Sequence, residues 1–262
     1  MTPALFSLDE RVALVTGAGS PSGIGFACAR LIGELGASVM ITSTTDRIHE
    51  RVLELQKSGI DAGGSFGDLT DERYADELIA ETVDAFGRLD ILVNNAGMTS
   101  VSLPGEAEAG ELATLPTEVW RASLRRNLDT AFLVSRAAVP HMLENQWGRI
   151  INVSSVTGPV MAMRADPAYA ASKAALEGLT RSIAVDYARY GITANAVAPG
   201  WIATGSQTED EVGQGLATPM GRSAAPDEVA AAVAWLATPG AAYTTGQSII
   251  VDGGNSVSEE RS

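Results

Sequence analysis

Tyr169 and Lys173 stand four residues apart in Tyr169-Ala170-Ala171-Ser172-Lys173, the spacing that brings two side chains onto one face of a helix. A free tyrosine titrates near ~10 and exchanges protons poorly at neutral pH. A neighbouring ammonium stabilises the phenolate and draws its pKa toward a useful range. The only lysines in the chain are Lys57 and Lys173. A lysine here, rather than one of the more numerous arginines, is therefore informative, because a guanidinium is a poorer proton relay. Taken alone, such a pair is also what an ordinary helix surface carries.

A second chemically suggestive run lies near the start, at Thr16-Gly17-Ala18-Gly19-Ser20-Pro21-Ser22-Gly23-Ile24-Gly25. Glycines at such a strand-to-helix junction permit a tight turn, close approach of the backbone to a pyrophosphate, and packing of helix on strand. The helix N-terminus adds free N–H groups and a positive dipole end. Gly17, Gly19, Ser22, Gly23, Ile24 and Gly25 are thus expected to bind a dinucleotide. About 20 residues on, the end of the next strand meets the adenosine ribose, where an acidic residue selects NAD(H). Here Ser43 holds that place, followed by Thr44, Thr45, Asp46 and Arg47. Hydroxyls with an arginine close by suit a 2′-phosphate, so NADP(H) is preferred. Asp46, and the lack of Lys or Arg in the glycine loop, keep NAD(H) as the alternative. Ser43 to Thr45 could also simply cap the following helix.

These residues need a scaffold, and the hydrophobic pattern supplies one. Strands are expected at Val12–Thr16, Ser38–Thr42, Gly64–Gly67, Asp90–Asn94, Arg149–Ser154, Ile192–Val197 and Ser248–Val251. Helices are expected at Gly23–Leu35, Arg47–Lys57, Glu72–Phe86, Thr117–Glu144, Ala168–Tyr190 and Pro226–Ala237, with loops over 98–116 and 201–224. Continuous apolar strands alternating with helices imply a parallel sheet covered on both faces. The expected fold is α/β: one doubly wound Rossmann-type domain over 1–262, with about seven strands and a substrate loop near 201–224.

Composition narrows the functional classes. The chain has 262 residues, 45% of them hydrophobic, enough for one large core. Its net charge of −14 repels phosphate backbones and anionic lipid, so neither nucleic acid nor membrane is an expected partner. A single cysteine, Cys28, cannot form an internal disulfide, and two histidines, His49 and His141, speak against a zinc site. No apolar run approaches ~18 residues, and the start does not read as a signal peptide. A cytoplasmic protein is expected.

With these pieces in order, the chain resembles the classical short-chain dehydrogenase/reductase family over nearly its whole length. The matching elements are the glycine loop, Asp68-Leu69, Asn94-Asn95-Ala96-Gly97, Asn127, Ser155, Tyr169 with Lys173, Pro199-Gly200, and Val251-Asp252-Gly253-Gly254. The resemblance implies that Tyr169 passes a proton to or from the carbonyl or alcohol oxygen. Ser155 would hydrogen-bond that oxygen; it is preferred over Ser154 by alignment. Lys173 would hold the nicotinamide ribose and tune Tyr169, and Asn127 would anchor a water leading to Lys173. Asp68 would meet the adenine amino group beside Leu69, and Asn95, Ala96 and Gly97 would line the adenosine ribose. Ile202 and Thr204, after Pro199 and Gly200, would face the nicotinamide amide and phosphates. The five residues between Gly17 and Gly23 make this loop longer than the family's usual one, which puts its phosphate contacts in question. Enoyl-carrier-protein reductases also lengthen it, but they space Tyr and Lys more widely. A homotetramer is implied by the same resemblance.

Met98, Val160, Met161, Met163 and Trp201 fall where they would flank the nicotinamide and form an apolar substrate pocket, although such residues also serve plain packing. Glu209-Asp210-Glu211 reads as a solvated lid, with binding of a cationic substrate as its alternative role. The expected substrate is a free ketone or secondary alcohol. A 3-oxoacyl-carrier-protein reductase is the alternative. Its acidic carrier would meet basic residues where this chain has Gln146 and Tyr190, though Arg149 and Arg189 lie near. A non-catalytic nucleotide-binding protein is a further reading, disfavoured because Asn127, Ser155, Tyr169 and Lys173 are all present. A nucleotide-sugar epimerase would need an added domain for which the chain has little room.

Overall fold

The computed structural model describes residues 2–97 and 109–259. Seven strands form, all but the third from short β-branched and apolar runs: β1 (Val12–Val15), β2 (Ser38–Ser43), β3 (Ala62–Phe66), β4 (Ile91–Asn94), β5 (Gly148–Val153), β6 (Ile192–Pro199) and β7 (Ser248–Val251). They pair in the order β3-β2-β1-β4-β5-β6-β7, every pair parallel. The doubly wound sheet expected from the alternation is therefore present. Its strand order reverses between β1 and β4, and such a switch point opens a crevice at the carboxyl ends of the strands.

Side chains alternate across the sheet with the period of two that a strand imposes. From β1, Ala13 and Val15 join one apolar layer with Cys28, Ile32, Val229 and Val233. Leu14 joins the opposite layer with Leu78, Leu92, Met142, Ile150 and Ile192. The first layer seats α1 (Ile24–Glu34) and α8 (Pro226–Ala237); the second seats α3 (Glu72–Phe86), α5 (Thr130–Asn145) and α6 (Pro167–Tyr187). Asp71 caps α3 by accepting from the Arg73 N–H at 3.0 Å, and Gly87 ends it in the left-handed region, the stop that glycine makes cheapest.

Two expectations need correction. The helix expected over Thr117–Glu144 is α4 (Thr117–Leu124) joined to α5 through one π-helical turn, Arg125–Asp129. Hydrophobic periodicity cannot see such a turn, because only one residue's register shifts. The stretch 201–224 is also not all loop, since it contains α7 (Glu209–Leu216). Gly213 and Gly215 lower its propensity, but Thr208 and Glu211 form a capping box that could have revealed it.

Leu92 is fully buried on central strand β4. Leu92→Ala is expected to destabilise the fold by roughly 2–5 kcal/mol, read as a lower urea midpoint at unchanged m-value.

Candidate active site

The carboxyl ends of the strands collect the chemically suggestive residues. The glycine loop follows β1, Ser43 ends β2, Asp68 follows β3, Asn95 to Gly97 follow β4, Ser155 follows β5, and Pro199 ends β6 before Gly200.

The glycine loop is pinned from β4. Gly17 adopts φ +70°, and a Cβ there would lie 2.9 Å from the Ala96 backbone, so no other residue fits without strain. The Asn95 side-chain amide donates to the Thr16 and Gly17 carbonyls, both at 3.0 Å. In return, Thr16 Oγ1 accepts from the Asn95 and Ala96 N–H groups at 3.0 Å. Asn95 therefore holds the loop backbone, a role that its sequence position alone did not disclose. The lengthened segment is absorbed by a turn in which the Gly23 N–H donates to the Ser20 carbonyl at 3.1 Å. Gly23 then starts α1 with no side-chain cap and no acidic residue in the first turn, leaving backbone donors for an anion. Ile24 packs against the core, and Gly25 abuts Gly17. Ser22 lies against Gly205, so the segment after β6 rests on the loop.

At the end of β2 the Ser43 hydroxyl donates to the Thr45 carbonyl at 2.7 Å. The N-cap of α2 (Ile48–Lys57) is Arg47, with no side-chain cap; the hydroxyl run does not cap that helix. Thr44 is exposed, and among the described residues Thr45 Oγ1 is buried without a hydrogen-bond partner. Arg47 folds over Gly19, its Nε 2.9 Å from where a Cβ on Gly19 would sit. A guanidinium and hydroxyls thus flank the glycine loop where an adenosine 2′-substituent would lie. Asp68 is exposed and accepts from the Thr70 N–H and hydroxyl at 2.9 and 2.8 Å; Leu69 beside it is buried.

Tyr169 lies in the first turn of α6 and Lys173 in the second. Lys173 is only 3% exposed; its ammonium donates to the Val153 carbonyl at 3.0 Å and sits 5.6 Å from the centre of the Tyr169 ring. Burial pulls the Lys173 pKa down to about 8. Contrary to the lowering expected from the neighbouring ammonium, burial pushes Tyr169 up to about 12; a hydrogen bond with the Ser155 side chain opposes the rise, and the charges of Asp166 and Glu211 add to it. The two serines separate cleanly. Ser154 is turned inward and donates to the Lys173 carbonyl at 3.3 Å, whereas Ser155 Oγ accepts from the Thr157 N–H at 3.0 Å and meets Tyr169. Asn127 sits in the π turn, its amide donating to the Ser123 carbonyl at 3.1 Å. Among the described residues its Oδ1 is buried with no hydrogen-bond partner. A Cβ on Gly97 would lie 3.0 Å from Asn127 Oδ1 and 3.4 Å from Lys173 Nζ. The three groups therefore converge, and a lone buried acceptor facing an ammonium is a place for a bridging water.

Beneath them a buried polar ladder ties the helices to the sheet. Asn94 donates to Ser135 Oγ at 2.9 Å and to Asn152 Oδ1 at 2.8 Å, and Asn152 donates to Thr180 Oγ1 at 2.8 Å. Thr180 lies two turns beyond Lys173 on α6, so this ladder sets the height of the Tyr169–Lys173 face above β5.

Of the expected pocket residues, Met98 lies outside the described residues. Met161 is part-buried and its sulfur accepts from the Asn255 amide at 3.6 Å, while Val160 and Met163 are exposed. Trp201 lines a small pocket with Met220, Arg222 and Asp252. The Gly200 N–H donates to the Val251 carbonyl, Ile202 bridges Ala224, and Thr204 Oγ1 bonds Ser206 Oγ at 3.1 Å. Glu211 is committed to the α7 cap, where the Thr208 N–H donates to it at 2.7 Å. Arg149 is 2% exposed and donates to the Gly148, Gly191 and Thr238 carbonyls. Although it lies near the expected docking position in the sequence, it is enclosed and does not offer its charge to a docking carrier. Among the described residues, no group of His, Cys, Asp and Glu could hold a metal ion, and no helix is long and apolar enough to cross a membrane.

Residues 17–256 match a family model described as enoyl-(acyl carrier protein) reductase. The chain is 38% identical to the 3-oxoacyl-[acyl-carrier-protein] reductase FabG of Vibrio cholerae, over 95% of this chain and 98% of that one. It is 39% identical to a cis-4-hydroxycyclohexanecarboxylate dehydrogenase of Sinomonas cyclohexanicum, covering 94% and 96%. A solved dehydrogenase/reductase from Sinorhizobium meliloti superposes with a TM-score of 0.87 at 31% identity, covering 97% and 98%. The chain belongs to the short-chain dehydrogenase/reductase family. As a member it is an oxidoreductase of CH–OH and ketone groups that uses a nicotinamide cofactor.

Because Lys173 titrates near 8 when folded and at its ordinary 10.5 when unfolded, the unfolded chain binds more protons between these values. Stability contributed by this group therefore rises with pH across that window. Urea unfolding at pH 8, 9 and 10 should show wild type gaining on the order of 1–3 kcal/mol relative to Lys173→Met.

Proposed function

We propose that this short-chain dehydrogenase/reductase is an NADP(H)-dependent enzyme moving a hydride between the nicotinamide and a ketone or secondary alcohol. The observation that carries the proposal is the convergence of Tyr169, Ser155, Lys173 and the unpartnered Asn127 Oδ1 at the carboxyl end of β5.

The residues present fit the cofactor. Gly17 and Gly19 leave a cradle that a Cβ would fill, and the uncapped start of α1 at Gly23 and Ile24 offers donors to its phosphates. Arg47, Thr44, Thr45 and Ser43 would receive the 2′-phosphate, and Asp68, Leu69, Ala96 and Gly97 would border the adenosine. Pro199, Gly200, Ile202 and Thr204 would border the nicotinamide end. When bound, the nicotinamide supplies or accepts the hydride.

The protein supplies the proton. With its pKa raised to about 12, the part-buried Tyr169 hydroxyl keeps its proton at neutral pH, so it is prepared to give it to a ketone oxygen as that oxygen becomes an alkoxide. In the oxidising direction Tyr169 takes the alcohol proton. Ser155 orients the reacting oxygen by hydrogen bonding. The Lys173 ammonium stabilises the phenolate left behind, and a water between Asn127 and Lys173 would return the proton from solvent. Met161, Met163, Trp201 and Met98 would form the apolar side of the pocket, within a substrate segment near 201–224 of one domain over 1–262. A cytoplasmic homotetramer acting on a free small molecule completes this reading.

The second reading, a 3-oxoacyl-carrier-protein reductase, draws support from the Vibrio cholerae relative. Against it stand the net charge of −14 and the burial of Arg149, which leave Arg189 as the exposed one of the two arginines near that position to attract an acidic carrier. A ketone panel against acyl thioesters, followed at 340 nm as the usual nicotinamide readout, separates the two; preference for thioesters would overturn the first.

Tyr169→Phe should lower turnover by roughly 10²–10⁴-fold while NADPH still binds by fluorescence titration; retained activity would refute the proton-transfer role. Titration with both nicotinamides should favour NADPH, and Arg47→Ala should erase about tenfold of that preference. Tight binding of NADH alone would sink the cofactor assignment.

A further inference from the structure

Tyr74 stands in the first turn of α3, shortly after β3. The residues that α3 buries are Ala75, Leu78, Ile79 and Thr82; Tyr74 lies beside that face and is part-buried. A phenyl ring would pack there equally well, so the hydroxyl needs its own account. It donates to Ser65 Oγ at 3.3 Å and shares a 3.0 Å hydrogen bond with Thr42 Oγ1. Thr42 and Ser65 are paired residues of β2 and β3, so one phenol bridges the two strands near their carboxyl ends. Thr42 is only 1% exposed, and among the described residues its hydroxyl has no hydrogen-bond partner other than Tyr74. The edge strand gains from such a tie, because Ala-Gly-Gly-Ser-Phe offers few side chains to hold it.

The bridged strand ends lead directly into the adenosine end of the crevice. The Thr42 carbonyl accepts from the Ala18 N–H of the glycine loop at 2.9 Å. Ser43 follows, and its carbonyl accepts from the Gly67 N–H at 3.0 Å. Gly67 precedes Asp68, and a Cβ on Gly67 would lie 2.5 Å from the Tyr74 ring, so the ring presses on that backbone directly. Side chains alternate along β2: Met40 faces the α3 layer and Ile41 the α1 layer. Thr42 accordingly meets Tyr74, while Ser43 faces Gly19 beside Arg47. Tyr74 thus braces two walls from behind, Ser43–Arg47 and Asp68–Leu69. It stands apart from the proton-transfer cluster, since β1 and β4 separate β2 from β5.

We propose that Tyr74 is a positioning residue for the cofactor. Its bridge between Thr42 and Ser65 fixes the ends of β2 and β3, and with them the groups that receive the adenosine ribose, its 2′-substituent and the adenine. This inference rests on the cofactor reading above. Removing the hydroxyl leaves the buried Thr42 Oγ1 without a partner, and the strand end shifts to satisfy it. The cost falls on binding of the adenosine end, most of all on a 2′-phosphate, whose charge-assisted hydrogen bonds demand fixed geometry. Proton transfer at Tyr169 is unaffected once the cofactor is bound.

The test is fluorescence titration with NADPH and NADH, and competition by adenosine 2′,5′-bisphosphate, which carries the adenosine end alone. Tyr74→Phe keeps the ring on Gly67 and removes the bridge. It should raise the dissociation constant of NADPH by roughly tenfold, and that of the bisphosphate in parallel, with a smaller rise for NADH. The KM for NADPH should rise likewise, while kcat at saturating cofactor and the KM for the ketone stay within about twofold. Thr42→Val removes the same bond from the other end and should reproduce these changes, even where Tyr74→Phe fails to fold. The double variant sets two apolar groups against each other and should be no worse than either single one. A lowered urea midpoint with all three affinities unchanged would mark a purely structural tyrosine and overturn its role in binding, while the cofactor reading stands. A wild type that binds neither nucleotide would overturn both.

Discussion

A single buried ammonium organises the functional end of this protein. Lys173 lies almost wholly out of water with a backbone carbonyl of β5 as its hydrogen-bond acceptor. An ion so placed is costly unless its surroundings stabilise it, and here the stabilising groups are the site itself. The carbonyl of Val153 takes one donor, the Tyr169 ring lies beside it, and Asn127 Oδ1 stands opposite across Gly97. Burial lowers the lysine and raises the tyrosine, so the two groups separate into a proton holder and a cation that steadies what remains when the proton leaves.

That arrangement depends on the registry of α6 against the sheet. The ladder from Ser135 through Asn94 and Asn152 to Thr180 connects α5, β4, β5 and α6 through side-chain hydrogen bonds in an otherwise apolar interior. Buried polar networks of this kind constrain geometry because each unmade bond is expensive. Ser154 adds a further tie to the Lys173 carbonyl. On the other side of the switch point, Asn95 performs the equivalent task for the glycine loop. One asparagine amide joins the end of β4 to the loop after β1, so the cofactor cradle and the proton-transfer cluster share strand β4 as a common reference.

Much of this was legible from residue types and spacing. Apolar runs and their alternation located six of the seven strands, because a parallel sheet buried on both faces demands them; the weaker edge strand expected at Gly64–Gly67 lies at Ala62–Phe66, where Ala-Gly-Gly-Ser-Phe gives little apolar pattern. Glu72–Phe86, Pro226–Ala237 and Ser248–Val251 agree with the structure to the residue. The π turn at Arg125–Asp129 and the helix α7 were missed for different reasons. A π turn leaves the hydrophobic pattern nearly intact, and two glycines in an acidic stretch mask a helix whose capping box was nonetheless present. The preference for Ser155 over Ser154 came from alignment, and only the opposite orientations of the two hydroxyls supplied a physical reason.

By itself the sequence determined the fold class, the family and the identity of the groups with useful chemistry, since these follow from composition, periodicity and motif order. Tertiary structure alone decided which of those groups are buried, which are already partnered and which are left without a partner. Arg149 and Arg189 look alike in the sequence, yet only Arg149 is enclosed. Asp71 and Asp166 both sit at helix starts, yet only Asp71 closes its cap. Desolvation and hydrogen bonding depend on atoms brought together from distant parts of the chain, and no local reading of residues contains that information.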